Sequence, residues 1–115
     1  MAHGASLTRV AFVGARVDYI NLRAATLTQV RLLDCRIGEL DLGAAQVKTV
    51  RFEGCEVERL VVTGASLEAV DLAGAELGAL EGVGSLRGAE ISQDQLTRLL
   101  PALAAHLGIE VHEPP

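Results

Sequence analysis

The feature of this sequence that most restricts its fold is a large apolar residue at every fifth position. The series runs without exception from Leu7 to Leu77 and ends at Gly82. The residue two positions before each member is apolar as well, from Ala5 to Leu80. An α-helix cannot use this period, because a step of five residues, at about 100° each, leaves successive members roughly 140° apart. A single strand cannot use it either, since a step of five turns the side chain to the opposite face.

A chain that turns a corner every five residues satisfies the pattern. The apolar pair of each unit then points inward across a short extended segment, while the other three residues face outward or form the corner. The first member of the pair alternates between a small residue, Ala or Cys, and a larger Val, Ile or Leu. We therefore expect four faces per coil and twenty residues per coil. Sixteen units make four coils, about 19 Å tall at a strand spacing of about 4.8 Å.

Six of the five-residue units carry a family resemblance: ASLTR, INLRA, ATLTQ, LDLGA, ASLEA and VDLAG. They resemble the A(D/N)LXX consensus of pentapeptide repeat proteins. The resemblance covers residues 5 to about 91 and implies a right-handed quadrilateral β-helix, an all-β solenoid. The sequence departs from the consensus at the second position of the unit, where Asn21, Asp41 and Asp71 are the only matches to Asp or Asn.

The regular frame loses one residue after Leu80. The apolar centres resume at Leu86 and Ile91, but Leu86 follows Leu77 by nine residues instead of ten. Glycines at positions 82, 84 and 88 are expected to absorb this distortion.

The C-terminal region has the period of an amphipathic helix that covers the open end of the solenoid. Ser92 and Gln95 form a capping box, Gly108 is expected just beyond the helix, and Pro101 should kink or split it. Residues 109–111 are predicted to form a short strand. We thus expect a repeat domain over 5–91 and a capping or dimerisation segment over 92–112. The apolar stripe comprises Leu96, Leu99, Leu100, Leu103 and Leu107.

A homodimer is expected because the open ends of a solenoid expose core residues and unpaired backbone groups. The resemblance implies dimerisation through the C-terminal helix, which makes its leucine stripe the favoured interface. The first coil is the rival interface, because its inward residues would otherwise contact water; a chain cut from a longer solenoid would also explain them. The residues of this alternative interface are Leu7, Val10, Phe12, Val17, Ile20 and Leu22.

Charge is distributed unevenly along the chain. Residues 1–52 hold seven basic and four acidic groups, a net +3, whereas residues 53–115 hold three basic and eleven acidic groups, a net −8. Pairs across neighbouring coils are expected for Arg36 with Glu56 and Arg51 with Asp71. Such pairs either add little stability or form a charge gradient that orients a partner. The predicted acidic surface comprises Glu56, Glu58, Glu68, Asp71, Glu76 and Glu81.

Cys35 and Cys55 lie twenty residues apart, so they should stack on one wall of neighbouring coils. A disulfide or metal pair is one interpretation. We favour two small core residues instead, because Ala15 and Ala75 occupy the same wall in the other coils. The histidines have no ligand spacing, and no catalytic motif is present. We therefore predict no catalytic residue, no cofactor and no metal.

Two functions remain open from the sequence. The first is a non-enzymatic structural or protein-interaction module that associates with itself. The second follows from the resemblance, since some pentapeptide repeat proteins inhibit or protect DNA gyrase by mimicking duplex DNA. No direct nucleic-acid binding is expected from the acidic end. The sequence shows no signal peptide and no apolar run of membrane-spanning length, which predicts a cytoplasmic protein without membrane contact. An outward apolar strip of Val13 and Leu33, widened by Tyr19, is a further candidate contact for a partner.

Overall fold

The computed structural model describes residues 4–114, which form an elongated β-solenoid followed by one α-helix. The molecule measures 52 × 25 × 24 Å along its principal axes. A one-turn 3₁₀-helix, Val83–Ser85, separates the last two strands, and helix α1 spans Gln93–His106. The strands are β1 Ser6–Thr8, β2 Ala11–Val13, β3 Arg16–Asn21, β4 Thr26–Leu33, β5 Arg36–Asp41, β6 Gln46–Glu53, β7 Cys55–Val61, β8 Ser66–Asp71, β9 Ala75–Glu81 and β10 Ala89–Glu90.

The strands form two parallel sheets that run along the solenoid. The first sheet contains β1, β2, β4, β6, β8 and β10, and the second has the order β3-β5-β7-β9. Leu27 pairs with Val47, and Val47 pairs with Leu67, so each step between coils is twenty residues. This register confirms the predicted β-solenoid of about four coils. We call the face centred on Val17, Ile37, Val57 and Leu77 the third face.

The apolar pairs predicted to point inward form the core. In the second and third coils the centre residues are buried. In the first and last coils most of them are half-buried, although Leu72 is buried and Val17 is exposed. Phe52 is buried, for example, whereas Phe12 two coils below it is only half-buried. A cavity of about 10 Å³ lies among the core residues of the first three coils. That volume is at the lower limit for one water molecule, so this part of the interior is filled by side chains.

The corners differ between faces. The residue two positions after the centre is left-handed on three faces, with φ of 54° at Arg9, 54° at Asp34 and 56° at Ala44. Gly74, in the last coil, is the exception on these faces. On the third face the equivalent residues, including Glu39 and Arg59, do not have a positive φ. The third face therefore ends in a different corner from the other three.

The one-residue slip at the end of the repeats is confirmed by the strand register. Ala89 pairs with Val70, nineteen residues earlier. Gly88 has a φ of 93°, and a Cβ there would lie 1.9 Å from the carbonyl oxygen of Leu67. Gly82 has a φ of 96°, whereas Gly84 has no positive φ and instead lies against the His106 ring. The first sheet thus gains a fifth level, and the second sheet ends at β9.

Helix α1 begins at the predicted capping box. The Ser92 hydroxyl accepts a hydrogen bond from the Gln95 amide at 3.1 Å, and the Gln95 side chain accepts one from the Ser92 amide at 2.9 Å. The helix ends before Gly108, whose φ is 75°. Pro101 lies inside the helix without splitting it. None of the helices within 4–114 is long and apolar enough to cross a membrane.

The predicted strand at residues 109–111 is wrong. These residues have no regular secondary structure and are exposed. Strand formation requires a hydrogen-bonding neighbour, and no strand within residues 4–114 lies beside this segment. We call residues 109–114 the tail.

Candidate interaction surfaces

The five leucines predicted as an interface do not share one environment on α1. Leu96, Leu99 and Leu103 are half-buried. Leu100 and Leu107 are exposed, at 52% and 69%. The leucine stripe therefore divides into residues that contribute to packing and residues that remain open to a partner.

Gln95 fastens the start of α1 to the last coil. It is the buried residue of the helix, and its side-chain nitrogen donates to the carbonyl oxygens of Leu72 at 2.6 Å and Ala75 at 2.7 Å. Sequence reasoning assigned Gln95 to the capping box alone and missed this role. No local signal marks it, because both acceptors lie twenty or more residues earlier in the chain.

A groove of about 730 Å³ runs between β9 and α1. We call it the C-terminal groove. Its apolar lining includes residues from the last coil and from the helix. Its charged lining consists of Arg98 and the carboxylates of Glu56, Glu76 and Asp94. β9 is the last strand of its sheet, so one edge of this strand has no strand partner within residues 4–114. The apolar residues are Leu77, Ala79, Leu80, Leu99 and Ala102.

The first coil is the second open apolar surface. Val17 is 40% exposed, whereas Val57 at the equivalent position is fully buried. The other residues of the alternative interface are half-buried: Leu7, Val10, Phe12, Ile20 and Leu22.

The predicted apolar strip lies beside this first coil. Val13 is exposed and pairs with the half-buried Leu33 in the next coil. Tyr19 is also exposed. Desolvation, followed by the negative charges of Asp41 and Glu39, raises the pKa of Tyr19.

The acidic surface is partly neutralised by ion pairs. Arg36 Nε lies 3.2 Å from Glu56, and Arg51 Nε lies 3.8 Å from Asp71, as predicted from the twenty-residue coil. Lys48 lies 3.8 Å from Glu68, and Arg59 pairs with Glu81. Of the six predicted acidic residues, Glu58 and Glu76 are the two that pair with no cation within 4–114.

Comparison with known sequences decides the family. The profile described as pentapeptide repeat region matches residues 5–81. The chain belongs to the pentapeptide repeat family. No curated protein matches it.

One solved structure to which this pentapeptide repeat protein is similar is a trypsin-treated variant of QnrB1, described as a plasmid-mediated fluoroquinolone resistance protein. The identity is 12% and the TM-score 0.21, over 96% of this chain and 93% of that one. This likeness is too distant to bear on function.

The two cysteines of the pentapeptide repeat protein are free, buried thiols. The Cys55 thiol donates to the Leu32 carbonyl at 3.2 Å, and the Cys35 thiol donates to the Phe12 carbonyl at 3.4 Å. Burial raises the pKa of Cys55. Both thiols act as small core residues, in agreement with the interpretation favoured from the sequence.

Proposed function

We propose that this pentapeptide repeat protein is a non-enzymatic interaction module that associates with itself through its C-terminal segment. Residues 5–91 serve as the rigid scaffold, and residues 92–112 serve as the association segment. The observation that carries the proposal is a cluster of large exposed apolar side chains within twelve residues. Its members are Leu100, Leu107, Ile109 and Val111. Exposed apolar clusters of this kind mark association sites on proteins.

The shape of the molecule makes this cluster accessible. Five levels of strands occupy about 24 Å at the usual strand spacing of about 4.8 Å. The long axis measures 52 Å, and the two short axes of 25 and 24 Å leave little room for the helix beside the solenoid. A helix of fourteen residues is about 21 Å long. The helix and tail therefore extend beyond the end of the solenoid, where a second copy can reach them.

Charge favours the helix over the first coil as the interface. Arg9 and Arg16 are exposed on the first coil and make no ion pair within residues 4–114. Two first coils stacked on each other would bring these positive charges together, which opposes association.

Sedimentation velocity over a range of concentrations tests the proposal. We expect a dimer for the natural chain and a monomer for Leu100→Asp. Phe12→Asp is the matched variant at the other end and should remain dimeric. Circular dichroism verifies that both variants keep their β structure. A natural chain that is monomeric at every concentration contradicts self-association, and a dimer lost only in Phe12→Asp moves the interface to the first coil.

Binding to DNA gyrase as a DNA mimic is the second candidate function. A mimic needs negative charge along its whole length. Four of the six predicted acidic residues are ion-paired here, and the first half of the chain carries net positive charge. A supercoiling assay with excess protein distinguishes the two: inhibition that weakens in a Glu58→Gln, Glu76→Gln double variant would favour the mimic, and unchanged supercoiling would remove it.

A further inference from the structure

The tail has the residue pattern of a solenoid strand, but it belongs to neither sheet of the described residues. Ile109, Glu110 and Val111 repeat the apolar–polar–apolar order of a repeat unit, in which the two apolar residues point inward. In the chain itself, Ile109 is 55% exposed and Val111 is 78% exposed. Burying both side chains is favourable when a suitable apolar surface is available. The tail therefore has a strong tendency to add to a sheet edge.

The C-terminal groove offers such an edge. β10 gives the first sheet a fifth level, but the chain leaves the solenoid at Ser92 and forms no fifth level on the third face. β9 consequently ends its sheet with one edge free of strands within residues 4–114, and the groove beside it exposes Leu77, Leu80 and Leu99. A strand placed there would continue the twenty-residue architecture by one level and would cover apolar side chains.

The chain's own tail lies at the wrong end of α1 to fill this place. The groove is lined by helix residues from the first turn to Ala102, whereas the tail follows the last turn, about 21 Å from the start of the helix. A two-fold dimer with antiparallel helices removes this difficulty, because the end of one helix then lies beside the start of the other.

We infer that the tail of each copy adds as a strand to the β9 edge of a second copy, so that the two copies exchange tails. This inference rests on the proposed self-association and names the segment that each copy contributes. Burial of apolar side chains carries the inference, and charge does not: the groove is lined by Arg98 together with Glu56, Glu76 and Asp94, and the tail carries Glu110 and Glu113. In the single chain Glu110 pairs only with the exposed His112, at 3.4 Å.

Disulfide trapping between two differently tagged variants tests the exchange. Ala79→Cys places a thiol in the groove, and Val111→Cys places one in the tail. Val13→Cys, at the opposite end of the solenoid, is the control. The native cysteines are buried and do not compete. After mixing and mild oxidation, a linked heterodimer is expected for the tail variant with the groove variant, and none for the tail variant with the control.

The outcomes separate this inference from the proposed function. A natural chain that sediments as a dimer while the tail and groove variants fail to link overturns the exchange and leaves self-association standing. A chain carrying both Ala79→Cys and Val111→Cys that links within one monomer also overturns the exchange, because its tail folds back. A natural chain that sediments as a monomer at every concentration overturns both.

Hydrogen exchange gives a second, independent measurement. Val111→Asp should increase the exchange of the β9 amides relative to the natural chain, since the added strand would protect them. Glu113→Gln, also in the tail, should leave their protection close to that of the natural chain. Equal exchange of β9 in the natural chain and in Val111→Asp would overturn the exchange of tails.

Discussion

The side-chain nitrogen of Gln95 lies 2.7 Å from the carbonyl oxygen of Ala75. In the coils below, the equivalent carbonyls accept from the backbone of the next coil: Ala15 from the Arg36 amide and Cys35 from the Glu56 amide. A glutamine side chain on the helix thus replaces the backbone donor that a fifth coil would supply. The Ala75 carbonyl, at the end of the second sheet, therefore has a hydrogen-bond donor without a further strand.

Replacing Gln95 should loosen the helix from the solenoid. Gln95→Leu removes the side-chain donor to the Ala75 carbonyl and one of two donors to the Leu72 carbonyl, which still accepts from the Ala75 amide at 3.0 Å. Loss of a donor to a buried carbonyl costs about 1–3 kcal/mol. We expect a lower free energy of unfolding in urea and faster hydrogen exchange in α1. Gln93→Leu, at an exposed position of the same turn, is the control and should change neither; equal effects of the two variants would contradict this role.

The glycine at the one-residue slip should be the least replaceable of the chain's left-handed glycines. Gly88→Ala places a Cβ against the Leu67 carbonyl oxygen and adds left-handed strain. Gly14 has a φ of 66° with open space around it, so Gly14→Ala carries the strain alone, about 1–2 kcal/mol. Thermal unfolding should therefore show a larger loss for Gly88→Ala. Similar losses would mean that the backbone moves away at position 88.

Removal of the two phenylalanines compares how strongly the interior and the first coil of the solenoid are packed. Phe52→Ala should cost about 3–5 kcal/mol, as for other buried aromatic residues. Phe12 occupies the same column two coils earlier and is half-buried, so Phe12→Ala should cost clearly less in the monomer. Urea unfolding at low concentration compares the two. An equal loss would show that the first coil is covered in solution.

Cys55 should make stability fall at alkaline pH. Burial raises its pKa above the ordinary value of 9.0, so the folded state favours the neutral thiol. This contribution is complete below the pKa of the unfolded chain and is lost as pH rises through the folded pKa. Cys55→Ala should flatten that part of the profile and change little at neutral pH, because Ala75 fills the same wall. An unchanged alkaline profile in urea unfolding would contradict the assignment.

Arg59 connects three successive coils through two ion pairs. It lies 3.4 Å from Glu39 and also pairs with Glu81. Arg59 and Glu81 are exposed and Glu39 is half-buried, so Arg59→Gln should cost at most about 1 kcal/mol, and the difference should vanish at high salt. Arg31 makes no ion pair within residues 4–114, and Arg31→Gln serves as the control. A loss that persists in high salt would indicate packing by the Arg59 stem instead.

The architecture could be predicted because its cause is local and repeated. Each inward pair must be apolar, so the spacing of Leu27, Leu32, Ile37 and Leu42 already gives the length of a face, and the distance from Leu77 to Leu86 already contains the slip. The left-handed corners of the first face could not be predicted, because Arg9, Gln29 and Ala69 share no side-chain property. Elsewhere Gly14 and Gly54 occupy such corners, and glycine favours this conformation.

The candidate interface was only partly predictable. The helical period places Leu96 and Leu100 on one stripe, but it does not say how the helix rotates against the last coil. That rotation depends on the contact of Gln95 with Leu72 and Ala75, which are distant in sequence. The tail failed as a predicted strand for a related reason, since alternation at Ile109 and Val111 indicates a tendency, and a strand forms only beside a partner.

Because every coil contains twenty residues, the number of coils determines the length of the solenoid. Each coil pairs only with the coils directly above and below it, so inserting or deleting one such unit changes the distance between the two ends by about 4.8 Å and leaves the other contacts as they are. The basic first coil and the protruding helix are thereby held at a separation fixed by the number of coils. A partner that binds both ends would therefore select proteins by their number of coils.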